Sequence, residues 1–165
     1  MTMYEINEIH GRVTLWLSDS AGNVHALQRR ENRIVTSGRR LVAQLFGGVP
    51  SGTPPAKVTH MAVGTDPTPP ADTQTGLLAE IAGRKPITDV AYTEFTDTTG
   101  GVTAQRVRVS LKALFDFAEA NSATPLREAG IFTAPSAGVM YNRVVFDAVT
   151  KTNAFQLTLL WEVVF

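Results

Sequence analysis

The chain has 165 residues, no cysteine, and fifteen basic against fifteen acidic side chains, for a formal net charge of zero. Without cysteine it can form no disulfide, thiolate nucleophile, iron–sulfur cluster or cysteine-based zinc site. The balanced charge gives no bulk attraction for DNA or RNA and suits a protein that assembles with copies of itself or with partners. A chain this long buries roughly 70% of its unfolded surface, so a single domain over residues 1–165 is expected. No stretch approaches the ~20 apolar residues of a membrane span. Met1 to His10 lacks the basic start and apolar run of a signal peptide. The expectation is synthesis in a cytoplasm, with no membrane partner.

In chain order, Gly11–Leu17 and Val24–Arg30 flank Asp19-Ser-Ala-Gly-Asn23, whose Asp, Gly and Asn supply turn chemistry. This predicts a hairpin, within an N-terminal segment 1–31 available for assembly contacts. Asn32–Thr36 continues as a short extended piece. Ser37 is placed to cap a helix of about ten residues. That helix carries Leu41, Val42, Leu45 and Phe46 on its apolar face, Arg39, Arg40 and Gln44 on the other, and Gly47-Gly48 as its stop. Six of the nine prolines fall between Pro50 and Pro70, which excludes regular helix there. Lys57–Gly64 reads as a strand between two proline-rich loops, and Thr75–Ile81 as a short second helix.

Arg84–Phe95 and Val102–Phe115, joined by Thr98-Thr-Gly100-Gly101, predict a second hairpin. Its second arm alternates Val107, Val109, Leu111, Ala113 and Phe115 inward with Arg106, Arg108, Ser110 and Lys112 outward. Ala118–Pro125 is a polar loop. Ala129–Thr133 and Val139–Asp147 are partner strands across a turn at Pro135–Gly138, and a loop at Ala148–Asn153 leads to the last strand. There, Phe155, Leu157, Leu159, Trp161, Val163 and Phe165 put one wholly apolar face on a strand that pins the C-terminus into a sheet begun at Leu126. The sum is a mainly β protein: an antiparallel β-sandwich or small barrel built of hairpins, with one or two short helices.

Chemistry-bearing patterns are sparse. The sequence has no nucleophile elbow, phosphate-binding loop or dinucleotide fingerprint, and Gly48-Val-Pro-Ser51-Gly52 places its serine wrongly for the first. His10, His25 and His60 lie in separate elements, so none forms an i,i+4 metal pair, and His60 reads as a strand histidine satisfied by backbone. Glu119 and Glu128 would serve as an acid/base pair only across a fixed cleft, which the sequence does not supply. Glu128, between Leu126 and an apolar run, is expected to be partly buried and paired with Arg127, Arg143 or a backbone N–H, in a structural role. Arg29, Arg30, Arg33, Arg39 and Arg40 form the densest basic stretch. Glu31 interrupts it and no aromatic flanks it, so a salt-bridged protein–protein face is expected rather than a nucleic-acid groove. Trp161, in register with five apolar residues, reads as core, whereas Trp16 alternates less cleanly and is the better candidate for exposure. No catalytic residue, metal or cofactor is expected.

Several segments taken together carry a resemblance. Asn32-Arg-Ile-Val-Thr-Ser-Gly-Arg-Arg-Leu-Val-Ala-Gln-Leu precedes Val58-Thr-His-Met-Ala-Val-Gly-Thr and a Pro/Thr-rich loop. Thr75-Gly-Leu-Leu-Ala-Glu-Ile, Leu126-Arg-Glu-Ala-Gly-Ile-Phe, Tyr141-Asn-Arg-Val-Val-Phe and Lys151-Thr-Asn-Ala-Phe-Gln-Leu-Thr-Leu-Leu-Trp-Glu-Val-Val-Phe follow. This order resembles small tail-associated structural proteins of tailed bacteriophages. The Arg-Glu-Ala-Gly-Ile-Phe segment is similar to the attachment domains of contractile-phage tail fibres. The resemblance implies a β-rich virion adaptor in the collar, baseplate or fibre-attachment region, present in symmetric copies and partnered by other tail proteins. The chain ends at Phe165 without a shaft or tip, which favours an adaptor over a receptor-binding fibre. The proline-rich loops 47–56 and 65–75 and the N-terminal hairpin are the expected contact segments. Two other readings remain: a carbohydrate-binding sandwich, for which Tyr4, Trp16, Tyr92 and Tyr141 are the candidate aromatics, and a hydrolase.

Overall fold

A computed structural model describes residues 9–81, 83–98, 101 and 103–165. Tyr4 and the rest of residues 1–8, the turn residues Thr99 and Gly100, and the expected strand start at Val102 lie outside the described residues. The described residues fold as a β-sandwich of two antiparallel five-stranded sheets and one helix.

The first hairpin forms as its turn chemistry predicts, from β1 (His10–Ser18) and β2 (Val24–Glu31). The Asp19 carboxylate organises the turn by accepting hydrogen bonds from the Ala21 and Asn23 amides, both 2.9 Å, and from His25 at 2.7 Å. These donors, His25 first, hold its carboxyl well below the usual aspartate range. β3 (Arg33–Ile34) leads into α1 (Thr36–Gly47). The helix begins one residue before the expected cap. Val35 occupies the N-cap position and makes no side-chain bond, while the Ser37 hydroxyl donates to the Met140 carbonyl at 2.7 Å. Ser37 therefore ties the helix to the sheet instead of capping it. Gly48, at φ 74°, ends the helix with its amide on the Gln44 carbonyl. Gly38 lets the first turn lie directly on the backbone of Tyr141, because any Cβ there would strike the Tyr141 carbonyl.

β4 is His60–Gly64, shorter than expected at its start. Thr75–Ile81 is not a helix: its amides go to distant acceptors, Leu78 and Ala79 to the Glu128 carboxylate and Ile81 to the Val63 carbonyl. After β5 (Lys85–Pro86) come the long arms β6 (Asp89–Asp97) and β7 (Ala104–Phe115). They are followed by β8 (Leu126–Phe132), β9 (Met140–Val149) and β10 (Gln156–Val164).

Sheet A runs β2-β1-β10-β7-β6 and sheet B runs β3-β9-β8-β4-β5. The last strand therefore does not extend the sheet begun at Leu126. It lies at the centre of sheet A, paired along its length with β1 and β7. β9 is flanked otherwise. β8 occupies one side, while β3 and the Gln28 side chain occupy the other, the latter bonding both the amide and the carbonyl of Asp147 at 3.0 Å. The crossover is fastened by Lys151, whose buried ammonium donates to the carbonyls of Asp116, Phe117 and Thr152 and to Asn121 Oδ1. Burial draws this ammonium below the usual lysine value, partly offset by Asp116 and Glu119.

The core lies between the sheets. Val13, Leu15, Leu157, Leu159 and Trp161 from sheet A meet Met61, Ala129, Ile131 and Val144 from sheet B. Trp161 is fully buried, as its register predicts, and its indole donates to Asn32 Oδ1 at 2.7 Å. The apolar face of β10 is less uniform than the alternation suggests at its ends. Phe155 is only partly buried and Phe165 is 43% exposed.

Candidate interaction face

The residues singled out by sequence fall into separate surroundings. Glu128 on β8 is fully buried, as is Arg143 on β9. Arg143 Nε donates to Glu128 Oε2 at 2.8 Å, and the Leu78 and Ala79 amides donate to the same carboxylate at 3.1 and 2.7 Å. Gly64 pairs with Glu128 across the sheet. A Cβ there would come within 2.5 Å of both Glu128 Oε1 and the Ala79 carbonyl, so the absence of a side chain makes room for the carboxylate. Arg143 Nη1 continues to the Thr68 carbonyl at 2.7 Å and Gln74 Oε1 at 3.2 Å, and Nη2 lies 3.7 Å from Asp66. This polar knot therefore holds loop 65–79 against sheet B, and Glu128 opens on no cleft. Of its expected partners the structure joins it to Arg143 and to backbone amides. Arg127, with Glu128 as its neighbour, is half-buried. Glu119 is elsewhere, paired with Lys85 at 2.7 Å and accepting the Asp116 amide.

The five arginines do not form one face. On β2, Arg29 points outward on sheet A, while Arg30 turns to Asp147. Arg33 binds Asp72 through two nitrogens, at 2.8 and 2.9 Å. Arg39 and Arg40 are exposed on α1. His60 bonds Thr59 Oγ1 at 2.8 Å, and burial, reinforced by Arg84, lowers its pKa. Among the described residues no three His, Asp or Glu side chains gather as a metal cage, and no helix is long and apolar enough to cross a membrane. Trp16 is half-buried on the outer face of sheet A. It lines an open trough of about 480 Å³ with Val24, Leu27 and Leu160, rimmed by Arg12, Arg29 and Glu162.

The largest departure from expectation lies at the end of the sandwich under α1. Of the helix's apolar face, Leu41 is buried in the core and Val42 packs partly against it. Gly38 docks the first turns on β9, so the C-terminal half of the helix overhangs the sheet. Leu45 is 50% exposed and Phe46 96%. Facing it is the inner surface of β6. Val90 pairs with Leu111 and Tyr92 with Val109, so both point to the side that the core residues take. Sheet B ends in the two-residue β5, and β6 packs substantially on β7 alone. Val90 is therefore 54% and Tyr92 71% exposed.

Between helix and arm lies an apolar cleft of about 260 Å³ lined by Val42, Leu45, Val58, Val90, Tyr92 and Phe165. The buried Tyr141 hydroxyl, also in its lining, has no hydrogen-bond partner, and burial raises its pKa despite Arg39. On the other flank of the helix, Ile9, Arg39 and Phe46 border a second recess of about 450 Å³. Monomeric proteins seldom leave so many large apolar groups together at the surface, and such a patch marks an interaction surface. Sequence reasoning missed it because the helical and strand periods that reveal an apolar face do not reveal whether anything lies against it. No family model, characterised protein or solved structure matches the chain.

Proposed function

We propose that this protein is a non-enzymatic structural component of a phage virion tail. It acts as an adaptor in the collar, baseplate or fibre-attachment region, through symmetric self-assembly and contact with other tail proteins. The observation that carries the reading is the apolar end formed by Leu45, Phe46, Val90, Tyr92 and Phe165, which a stable partner would remove from water. The order of segments along residues 32–165 supports it by resemblance. In this reading the protein is made in the host cytoplasm and resides in the virion, and loop 47–56 and the N-terminal hairpin add further contacts. The test is deletion of the gene in a particle-producing host, followed by electron microscopy and protein analysis of purified particles. Tails lacking an appendage or junction, restored by the wild-type gene, are the expected outcome. Complete, infectious particles that never contained the chain would refute the reading.

A second reading draws on the Trp16 trough. A half-exposed indole beside Arg12, Arg29 and Glu162 has the mixed apolar and polar character of a saccharide platform. Binding on a glycan array that disappears with Trp16→Ala would favour host-surface recognition, and an array without signal would remove it.

A further inference from the structure

The apolar end carries both a protruding ring and a hollow that fits one. We infer that two copies of this chain pair across a twofold axis through this end, each inserting Phe46 into the cleft between α1 and β6 of the other. The inference rests on the self-assembling adaptor reading and names the partner of its apolar face.

Phe46 is almost wholly exposed at the overhanging end of α1. The neighbouring cleft, about 260 Å³ with mostly apolar walls, exceeds the roughly 150 Å³ that suffices for a benzene ring in an apolar cavity. The two features lie on either side of the Val42 ridge, since Val42 lines both the cleft and the recess that Phe46 borders. Projection and hollow on one surface permit a reciprocal, self-closing contact, in which each copy uses the same patch. The charges around the patch agree. Lys57 lies at the cleft, and Glu94 follows Tyr92 on the same face of β6. Among the described residues neither is in an ion pair. With Arg39 beside Phe46 and Lys57 at the cleft against Glu94 on β6, the patch carries both signs of charge, which a reciprocal contact pairs across the two copies. The occupant is thus a second copy of this chain.

The absence of native cysteine makes the test direct. Gly47→Cys, which keeps the Phe46 ring, and Val90→Cys are prepared separately, mixed and oxidised mildly, with Ser20→Cys in the distant hairpin turn as control partner. A disulfide between the first two variants can form only between copies. A heterodimer enriched at least about tenfold over mixtures containing Ser20→Cys is expected. So is a wild-type dimer by light scattering at micromolar concentration, weakened roughly thirtyfold by Phe46→Ser, as for an interfacial hot spot. Both cysteine positions are exposed, so the variants fold. A monomeric wild-type chain, or crosslinking no greater than the control, overturns the pairing. If such a monomer is nonetheless found in purified particles, the adaptor reading stands and only the twofold contact falls. A dimer that is never found in particles has the opposite consequence.

Discussion

The polar knot around Glu128 and Arg143 and the apolar end around Phe46 invert the usual distribution of residues. In the knot, two charges are completely buried and bonded to their own chain. At the apolar end, large hydrophobic side chains of the same chain lie open to water. The knot is an internal device: Arg143 donates to Glu128 and to loop 65–74, and the Glu128 carboxylate accepts from the amides of residues 78 and 79, fixing the path of a segment that has almost no regular structure of its own. The apolar end has no counterpart within the described chain. The charges that the chain buries here are bonded within its own fold, whereas the large apolar groups at the helix end meet water.

The comparison breaks most sharply at Glu128. Glu128→Ala strands a buried guanidinium and two backbone amides at once, and should cost about 3–5 kcal/mol of unfolding free energy, read from urea denaturation. Loop 65–79 should also gain amide exchange out of proportion to the rest of the molecule. A loss below 1 kcal/mol would mean that the knot is ornamental. Lys151→Met tests the other buried cation. It leaves three carbonyls and Asn121 Oδ1 without their ammonium donor, and should cost about 1–3 kcal/mol. Protection should be lost first at the crossover that carries the chain from sheet B to sheet A.

Much of this was legible in the sequence, for identifiable reasons. The turn at Asp19, the alternating arm β7 and the buried indole of Trp161 depend on local chemistry or on a period of two, and both are written in consecutive residues. The partnership of Glu128 with Arg143 was among the expected alternatives because an acid inside an apolar run needs a cation or amides. What the residues do not state is which edges are free. Alternation in β10 reveals its buried face but not its neighbours, so its place between β1 and β7 emerges only in the fold. Thr75–Ile81 has helix-like spacing at Leu77, Leu78 and Ile81, yet its amides are claimed by Glu128 and Val63 across the fold, and tertiary partners outweigh local propensity. The apolar end was hidden similarly: Leu45 and Phe46 read as the apolar face of a helix, and nothing local tells an overhanging helix from a covered one.

At the apolar end the expected effects on the isolated chain are small. Phe46→Ser and Tyr92→Ser remove exposed side chains, so each should change the stability of the monomer, measured below the concentration for pairing, by no more than about 0.5 kcal/mol. Solubility at high concentration should rise. A loss of 2 kcal/mol from either would show that these rings belong to the monomer's own core, and would remove the contrast with the knot.

The smallest effect concerns pH and separates the two regions without touching either charge of the knot. His60, on the β4 strand of sheet B, has its pKa lowered from the ordinary 6.5, first by burial and then by Arg84. Below pH 6.5 the unfolded chain therefore takes up this proton more readily than the folded one. His60 costs no stability above that value, and stability falls as the pH drops from 6.5 towards the lowered folded value. Urea midpoints at a series of pH values should show this decline in the wild type and in Phe46→Ser alike, and a flatter profile in His60→Asn. The apolar end has no share in the proton uptake, so a profile altered by Phe46→Ser but not by His60→Asn would place the acid-sensitive contact at the overhanging helix and not in sheet B.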